Sequence, residues 1–232
     1  MACQVIQKIS KLFVTFLLLS SVFCLISCMD LASNERSKKA AVRKVTYKPG
    51  QVYTMRGLGG VFSRGMNHLE DSLEDNYSVR TSSTIWYQAN KLSNYIIKHH
   101  NDKTLQGPII LVGHSLGANE QIKVAQNLAR ANIPVELLLT VDAVAPVIVP
   151  GNVKHVFNIY KPGIVPMISG RTLKALDPLH TEIDNFNVNS RLKNVYMNHI
   201  TIDKNSTVQK IMLEKVLASI QEANKNSGKR VL

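Results

Sequence analysis

Apolar and polar positions alternate along this chain with two different periods. Gln51–Leu58 alternates closely enough to predict a strand, and Tyr77–Ser82 predicts a second. A short helix is expected between them, with Leu69 and Leu73 inward. Ile85–His100 places Ile85, Ala89, Leu92 and Ile96 at helical spacing. Ile109–Val112 is an unbroken apolar run, as expected of a strand covered on both faces of a parallel sheet. A helix with Ala118, Ile122, Ala125 and Ala129 on one face follows it. Val135–Val141 and Val153–Tyr160 read as further strands, and Asn205–Ala223 as a last helix with Val208, Ile211, Met212 and Ile220 inward. Between them, Lys161–Met197 holds Pro162, Pro166 and Pro178 and shows no period, so a long irregular segment covering a site is expected. Strands alternating with helices predict an α/β domain over residues 51–225, a three-layer sandwich around a mostly parallel sheet with right-handed crossovers. The domain reads as a compact version without a separate lid domain, and residues 226–232 read as a frayed tail.

The amino-terminal pattern is different. Met1 to Lys11 carries Lys8 and Lys11 and no acid, and Leu12 to Ser27 is almost wholly apolar. A charged start followed by an apolar run of this length reads as a secretory signal over residues 1–27. Residues 28–50 read as a flexible tether, because Asp30 to Lys44 is polar, charged and without periodicity.

Composition narrows the function classes. The chain has 232 residues, 45% of them apolar and 19% charged, enough for one sizeable core. Lys and Arg outnumber Asp and Glu by 28 to 16, a net charge of +12, which falls to +10 if residues 1–27 are removed. The excess is dispersed, with no basic block or aromatic-interleaved basic motif, so nucleic acid is not an expected partner. An anionic lipid surface suits the charge, as does plain solubility. Cys3, Cys24 and Cys28 all precede the domain, which therefore has no thiol, disulfide or Cys-based metal site, and its histidines lack H-E-x-x-H spacing. Neither metal nor organic cofactor is expected.

The apolar run Ile109–Val112 leads directly into Gly113-His114-Ser115-Leu116-Gly117, a G-x-S-x-G motif between a predicted strand and a predicted helix. A sharp turn there would lift the Ser115 hydroxyl above the sheet edge and aim the first N–H groups of the helix, beginning with Leu116, at a developing oxyanion. A serine is a weak nucleophile until a histidine takes its proton, and the histidine needs a carboxylate to hold its tautomer. Of the aspartates after Ser115, Asp142 alone follows directly on a buried strand; Asp177 and Asp184 are fallback acids in the irregular segment. His199, 57 residues beyond Asp142, lies where a loop can return to the sheet edge, with His180 as its rival. His155 sits within a strand, and His114 points elsewhere because it adjoins the nucleophile. Gly59, Gly60 and Val61, in the glycine-rich loop after the first strand, are candidates for the second oxyanion N–H; a simple tight turn is the alternative. No Gly-Lys-Ser/Thr follows, which argues against phosphate binding.

Assembled, Arg56–Ser63, Gly113–Ala118, Val141–Val144 and Asn198–Asp203 make residues 51–225 resemble the α/β-hydrolase superfamily, in its small lipase and thioesterase-like members. The resemblance implies Ser115 as nucleophile, His199 as base, Asp142 as its orienter and Leu116 as an oxyanion donor. Many relatives place the acid one strand later, where this chain offers Lys161 and Pro162. The implied reaction is hydrolysis of an acyl ester or lipid through an acyl-enzyme. Thioesterase or acyltransferase activity is one alternative, and a non-catalytic surface lipoprotein on the same scaffold is another. Val61, Phe62, Ile164, Val165 and Met167 favour an acyl chain over a polar substrate. Leu25-Ile26-Ser27-Cys28 resembles a bacterial lipobox, which would lipidate Cys28 and attach an exported protein to the periplasmic side of the cell envelope; a plain signal or an uncleaved signal-anchor are the alternatives.

Overall fold

A computed structural model describes residues 48–58, 60, 63–165, 168–193 and 196–229. The expected signal, most of the tether, Cys28, Gly59, Val61, Phe62 and Met167 lie outside the described residues. Strand β1 (Lys48–Arg56) leads to helix α1 (Arg64–Tyr77), β2 (Val79–Ile85), α2 (Ala89–Asn101), β3 (Ile109–His114) and α3 (Leu116–Arg130). Then come β4 (Val135–Val141), β5 (Ile148–Val149), β6 (Val153–Tyr160), β7 (Lys174–Ala175), β8 (Glu182–Asn187), α4 (Val188–Arg191) and α5 (Ser206–Lys229). The central sheet has six strands in the order β2-β1-β3-β4-β6-β8, each pair of neighbours parallel. Short β5 and β7 form a separate parallel pair.

The unbroken apolar strands follow from helices on both faces. Leu111 and Leu138 point into a core closed by Ala89, Leu92 and Ile96 of α2 and Ala118, Ile122 and Ala125 of α3. Ile110, Val112, Leu137, Leu139 and Val141 point the other way, against Met66, Leu69 and Leu73 of α1 and Val208, Met212, Val216 and Ile220 of α5. Each such side chain contributes about 1.5–3 kcal/mol by leaving water, so neither face could be left open. This is the expected three-layer α/β sandwich.

Boundaries shifted where capping and tertiary contacts overrode periodicity. Strand β1 starts at Lys48, inside the segment read as a tether, because its first residues pair with β2. Tyr77 belongs to α1, which ends at Ser78 in the left-handed conformation (φ 54°), so β2 runs from Val79 to Ile85. A 3-10 turn, Trp86–Gln88, occupies the start of the expected second helix. The segment expected to be wholly irregular contains β8, which extends the sheet beside β6. Helix α5 continues through Lys229, past the expected end at Ala223. No helix among the described residues is long and apolar enough to cross a membrane.

Candidate active site

Ser115 sits at the turn between β3 and α3 with φ 60° and ψ −128°, outside the regions that non-glycine residues ordinarily occupy. Such a residue costs about 1–3 kcal/mol and persists because its surroundings over-determine it. Here the Ser115 N–H donates to the Val141 carbonyl at 2.9 Å, and the Ser115 carbonyl accepts from Ala118 N–H at 3.0 Å. The flanking glycines are fixed by space. A Cβ at Gly113 would enter the Gly117–Ala118 backbone, and one at Gly117 would enter the main chain of Met55 and Arg56 on β1. The turn can therefore be this tight only without side chains at both positions.

Asp142 is the first residue past β4, and the parallel register sets the ends of β3 and β4 side by side, with His114 opposite Val141. Its backbone is also in the positive-φ region (φ 50°), and its N–H donates to Ile159 of β6 at 2.8 Å. The side chain is fully buried. Oδ1 accepts from the Lys161 N–H at 2.6 Å, and Oδ2 lies 3.1 Å from Nδ1 of His199. Asn119 of α3 steadies the loop that follows: its Oδ1 accepts from Val144 N–H at 2.9 Å and its Nδ2 donates to the Ala145 carbonyl at 3.0 Å.

His199 occupies a turn closed by Asn198, whose side-chain oxygen accepts from Ile200 N–H at 2.9 Å and Thr201 N–H at 3.0 Å. Its Nε2 lies 2.8 Å from Ser115 Oγ. A carboxylate can only accept, so the Nδ1 proton of His199 faces Asp142 and the Nε2 lone pair faces the serine hydroxyl. The structure thus brings Ser115, His199 and Asp142 into one hydrogen-bonded line. The fallback groups are elsewhere. His180 Nδ1 pairs with Asp177 Oδ2 at 2.6 Å in an exposed turn, and Asp184 pairs with Arg191 at 3.2 Å.

The oxyanion candidates divide. Leu116 begins α3, so helix geometry leaves its N–H without an intrahelical acceptor beside Ser115. Gly60, in contrast, donates its N–H to the Gly57 carbonyl at 3.0 Å, closing the loop on itself, and so cannot serve. Gly59 and Val61 fall outside the described residues. Among the described residues of this loop, Gly57 lies against Ser115: a Cβ there would be 2.8 Å from Ser115 Cβ and 3.3 Å from its Oγ. Ile164 and Val165, expected to favour an acyl chain, lie exposed on the loop after β6, in company with Ile168; Leu58, Tyr196 and Ile200 are exposed on the loops carrying Gly57 and His199.

Three further polar residues lie beneath this line, missed because their partners are far away in sequence. His114 is 1% exposed; its Nδ1 is 2.8 Å from Ser63 Oγ and its Nε2 is 2.9 Å from the His199 carbonyl. Burial, reinforced by the charge His199 can carry, pulls its pKa down to about 3, so it is neutral near pH 7. Asp203 is fully buried, accepts from Gly65 N–H at 2.8 Å through Oδ2, and leaves Oδ1 without a partner. Burial raises its pKa to about 6 against the opposing Gly65 bond. At the opposite, amino end of the sheet, Glu136, His155 and Glu222 bring possible metal-ligand atoms within 4.8 Å of one another. Lys154 already pairs with both glutamates of that group, with Nζ 2.8 Å from Glu136 and 3.3 Å from Glu222.

No family model and no curated protein matches the chain. Similar solved structures include the lin2722 product of Listeria innocua, with 12% identity and a TM-score of 0.48 over 71% of this chain and 92% of that one. The thioesterase RedJ of the prodiginine pathway in Streptomyces coelicolor has 12% identity and a TM-score of 0.43, covering 76% and 96%. Human thioesterase 2 has 9% identity and a TM-score of 0.45, covering 76% and 98%. Likenesses this distant do not assign a function, which has to come from the site itself.

Proposed function

We propose that the protein is a serine hydrolase that cleaves acyl esters through an acyl-enzyme on Ser115. The observation that carries this reading is the continuous line Asp142–His199–Ser115, with hydrogen-bond distances of 3.1 and 2.8 Å, ending on a serine held at positive φ. Ser115 Oγ attacks the carbonyl carbon and gives its proton to His199 Nε2. His199 then passes that proton to the leaving oxygen as the acyl–oxygen bond breaks. Water enters, loses a proton to the same nitrogen, and displaces the acyl group as a free acid. Asp142 stabilises the imidazolium in both halves. The Leu116 N–H faces the oxyanion, and we assign the second donor to a main-chain amide of the loop after β1 other than those of Gly57 and Gly60, which are both engaged.

The exposed apolar side chains Leu58, Ile164, Ile168, Tyr196 and Ile200 on the surrounding loops support an acyl chain as substrate. The same chemistry acts on a thioester, with sulfur as the leaving atom. A panel of 4-nitrophenyl esters from acetate to palmitate, run beside matched acyl thioesters, tests the assignment. Rates that rise with acyl length and favour the oxygen esters support an esterase or lipase. Preference for the thioesters supports a thioesterase, and equal rates on polar and acyl substrates contradict the acyl-chain reading. Export and attachment through the amino terminus complete the proposal, supported by the apolar run Leu12–Ser27 and by Cys28. Mass spectrometry of the mature amino terminus tests the lipid anchor: a diacylglyceryl-cysteine at position 28 supports it, and an intact Met1 contradicts lipidation at Cys28.

A further inference from the structure

We infer that His114 is a positioning residue, a buried strut that fixes the main chain of the base His199 and ties it to the loop carrying Gly57. The inference rests on the hydrolase reading and adds to it a residue outside the triad. Hydrogen-bond directions are forced along the whole chain. The His199 carbonyl can only accept, so His114 Nε2 carries a proton and donates to it at 2.9 Å. A neutral imidazole then has a bare Nδ1, so the Ser63 hydroxyl must donate to it at 2.8 Å. That leaves the Ser63 oxygen free to accept the Gly57 N–H at 3.0 Å. Each group has a single consistent role, and His114 and Ser63 are each 1% exposed, so water does not compete.

The strut joins three segments remote in sequence. Gly57 packs against the nucleophile, His114 immediately precedes it, and His199 supplies its base. His199 lies in a loop; its ring is held by Asp142 and its main chain by the bond from His114 to its carbonyl. Removing that bond leaves the part-buried His199 carbonyl without its partner and frees the loop to shift. Misplacing a base by about 1 Å is enough to slow a reaction about a hundredfold, without weakening substrate binding. A histidine present only to fill the core would affect folding yet leave the rate per folded molecule unchanged.

Three variants of the full chain separate these roles. Gln in place of His114 puts an amide N–H near the position of Nε2 and keeps the bond to His199. Asn puts its oxygen near Nδ1, keeping Ser63 but losing His199. Leu loses both. Active sites are counted by stoichiometric fluorophosphonate labelling, folding is followed by near-ultraviolet circular dichroism, and kcat and KM are measured per active site on 4-nitrophenyl butyrate. The expected result is a kcat lowered about 10- to 100-fold in His114→Leu and His114→Asn, KM within about twofold, and recovery to within about threefold in His114→Gln. Equal kcat in the Gln and Asn variants overturns the inference, and that comparison stands even if the Leu variant does not fold. A wild-type protein that neither reacts with the probe nor cleaves the ester overturns the hydrolase reading as well. An active wild type with unaffected variants overturns this inference alone.

Discussion

Replacing Asp142 with asparagine removes the carboxylate's charge while keeping its shape, and its hydrogen-bond partners dictate how the new side chain sits. Oδ1 accepts from Lys161 N–H at 2.6 Å, a bond an amide oxygen preserves and an amide nitrogen cannot make. The asparagine must therefore turn its NH2 toward His199, where Oδ2 now stands 3.1 Å from Nδ1. An NH2 group donates, so Nδ1 must give up its proton and accept. The proton moves to Nε2, which faces the Ser115 hydroxyl at 2.8 Å and can no longer take a proton from it. In serine hydrolases with a Ser-His-Asp triad a tautomer reversal of this kind costs about 10⁴ in kcat, or about 5 kcal/mol of transition-state stabilisation. We expect Asp142→Asn to lower the hydrolysis rate of a soluble acyl ester by about 10³- to 10⁴-fold, with KM little changed and the thermal midpoint within a few degrees of wild type. The assay is steady-state release of 4-nitrophenol beside a thermal melt of the same sample. A fully folded variant within tenfold of the wild-type rate would refute the reasoning, because Asp142 would then not control the tautomer of His199.

Other expectations come from packing and from buried charge. Gly117→Ala should fail to accumulate as soluble folded protein, because its Cβ would meet β1 main chain that cannot move aside; a native melt from this variant would contradict the tight-turn account. The Asp203 pKa is raised to about 6, so its contribution to stability is complete below the usual carboxylate range and is lost as pH rises through about 6. In Asp203→Asn that loss disappears. The variant should gain on the wild type by about 2–3 kcal/mol between pH 4 and pH 7.5 in urea midpoints, whatever its offset at one pH, and parallel curves would contradict the assignment. His114 acts in the opposite direction. Its pKa is lowered to about 3, so its contribution is complete above the ordinary histidine range and is lost as pH falls from about 6.5 toward 3. His114→Gln should therefore flatten the acid limb of the stability curve, and an unchanged limb would show that His114 is not buried as a neutral ring.

The strands that pack on both sides could be read from sequence because burial on two faces leaves an unbroken apolar run, as in Ile109–Val112 and Val135–Val141. The glycines of the elbow were legible for a related reason: main chain approaches too closely for a side chain, and the sequence has to show it. Asp142 and His199 were found from their places at the ends of elements, and the structure brings them to Ser115. Strand β8 was not legible. Glu182–Asn187 is polar and only half-buried at the sheet edge, so it carries no hydrophobic alternation to betray a strand. The glycine-rich loop misled differently. Gly60 was expected to offer its amide to an oxyanion, but a turn hydrogen bond uses that amide, and among the described residues of the loop it is Gly57 that packs against Ser115. The strut through Ser63 and His114 left no local trace, since its members lie 51 and 85 residues apart and each is an ordinary polar residue in its own segment.

A fluorophosphonate probe reacts with a serine hydroxyl only where a base removes its proton and an oxyanion site receives the charge. Peptide mapping after reaction of the intact wild-type protein is therefore the most direct measurement. The phosphonyl adduct should sit on Ser115 alone, and labelling should vanish in folded Ser115→Ala and fall steeply in folded His199→Ala. A folded wild-type protein that takes up no label, or is labelled at a different serine with Ser115 untouched, would contradict the account.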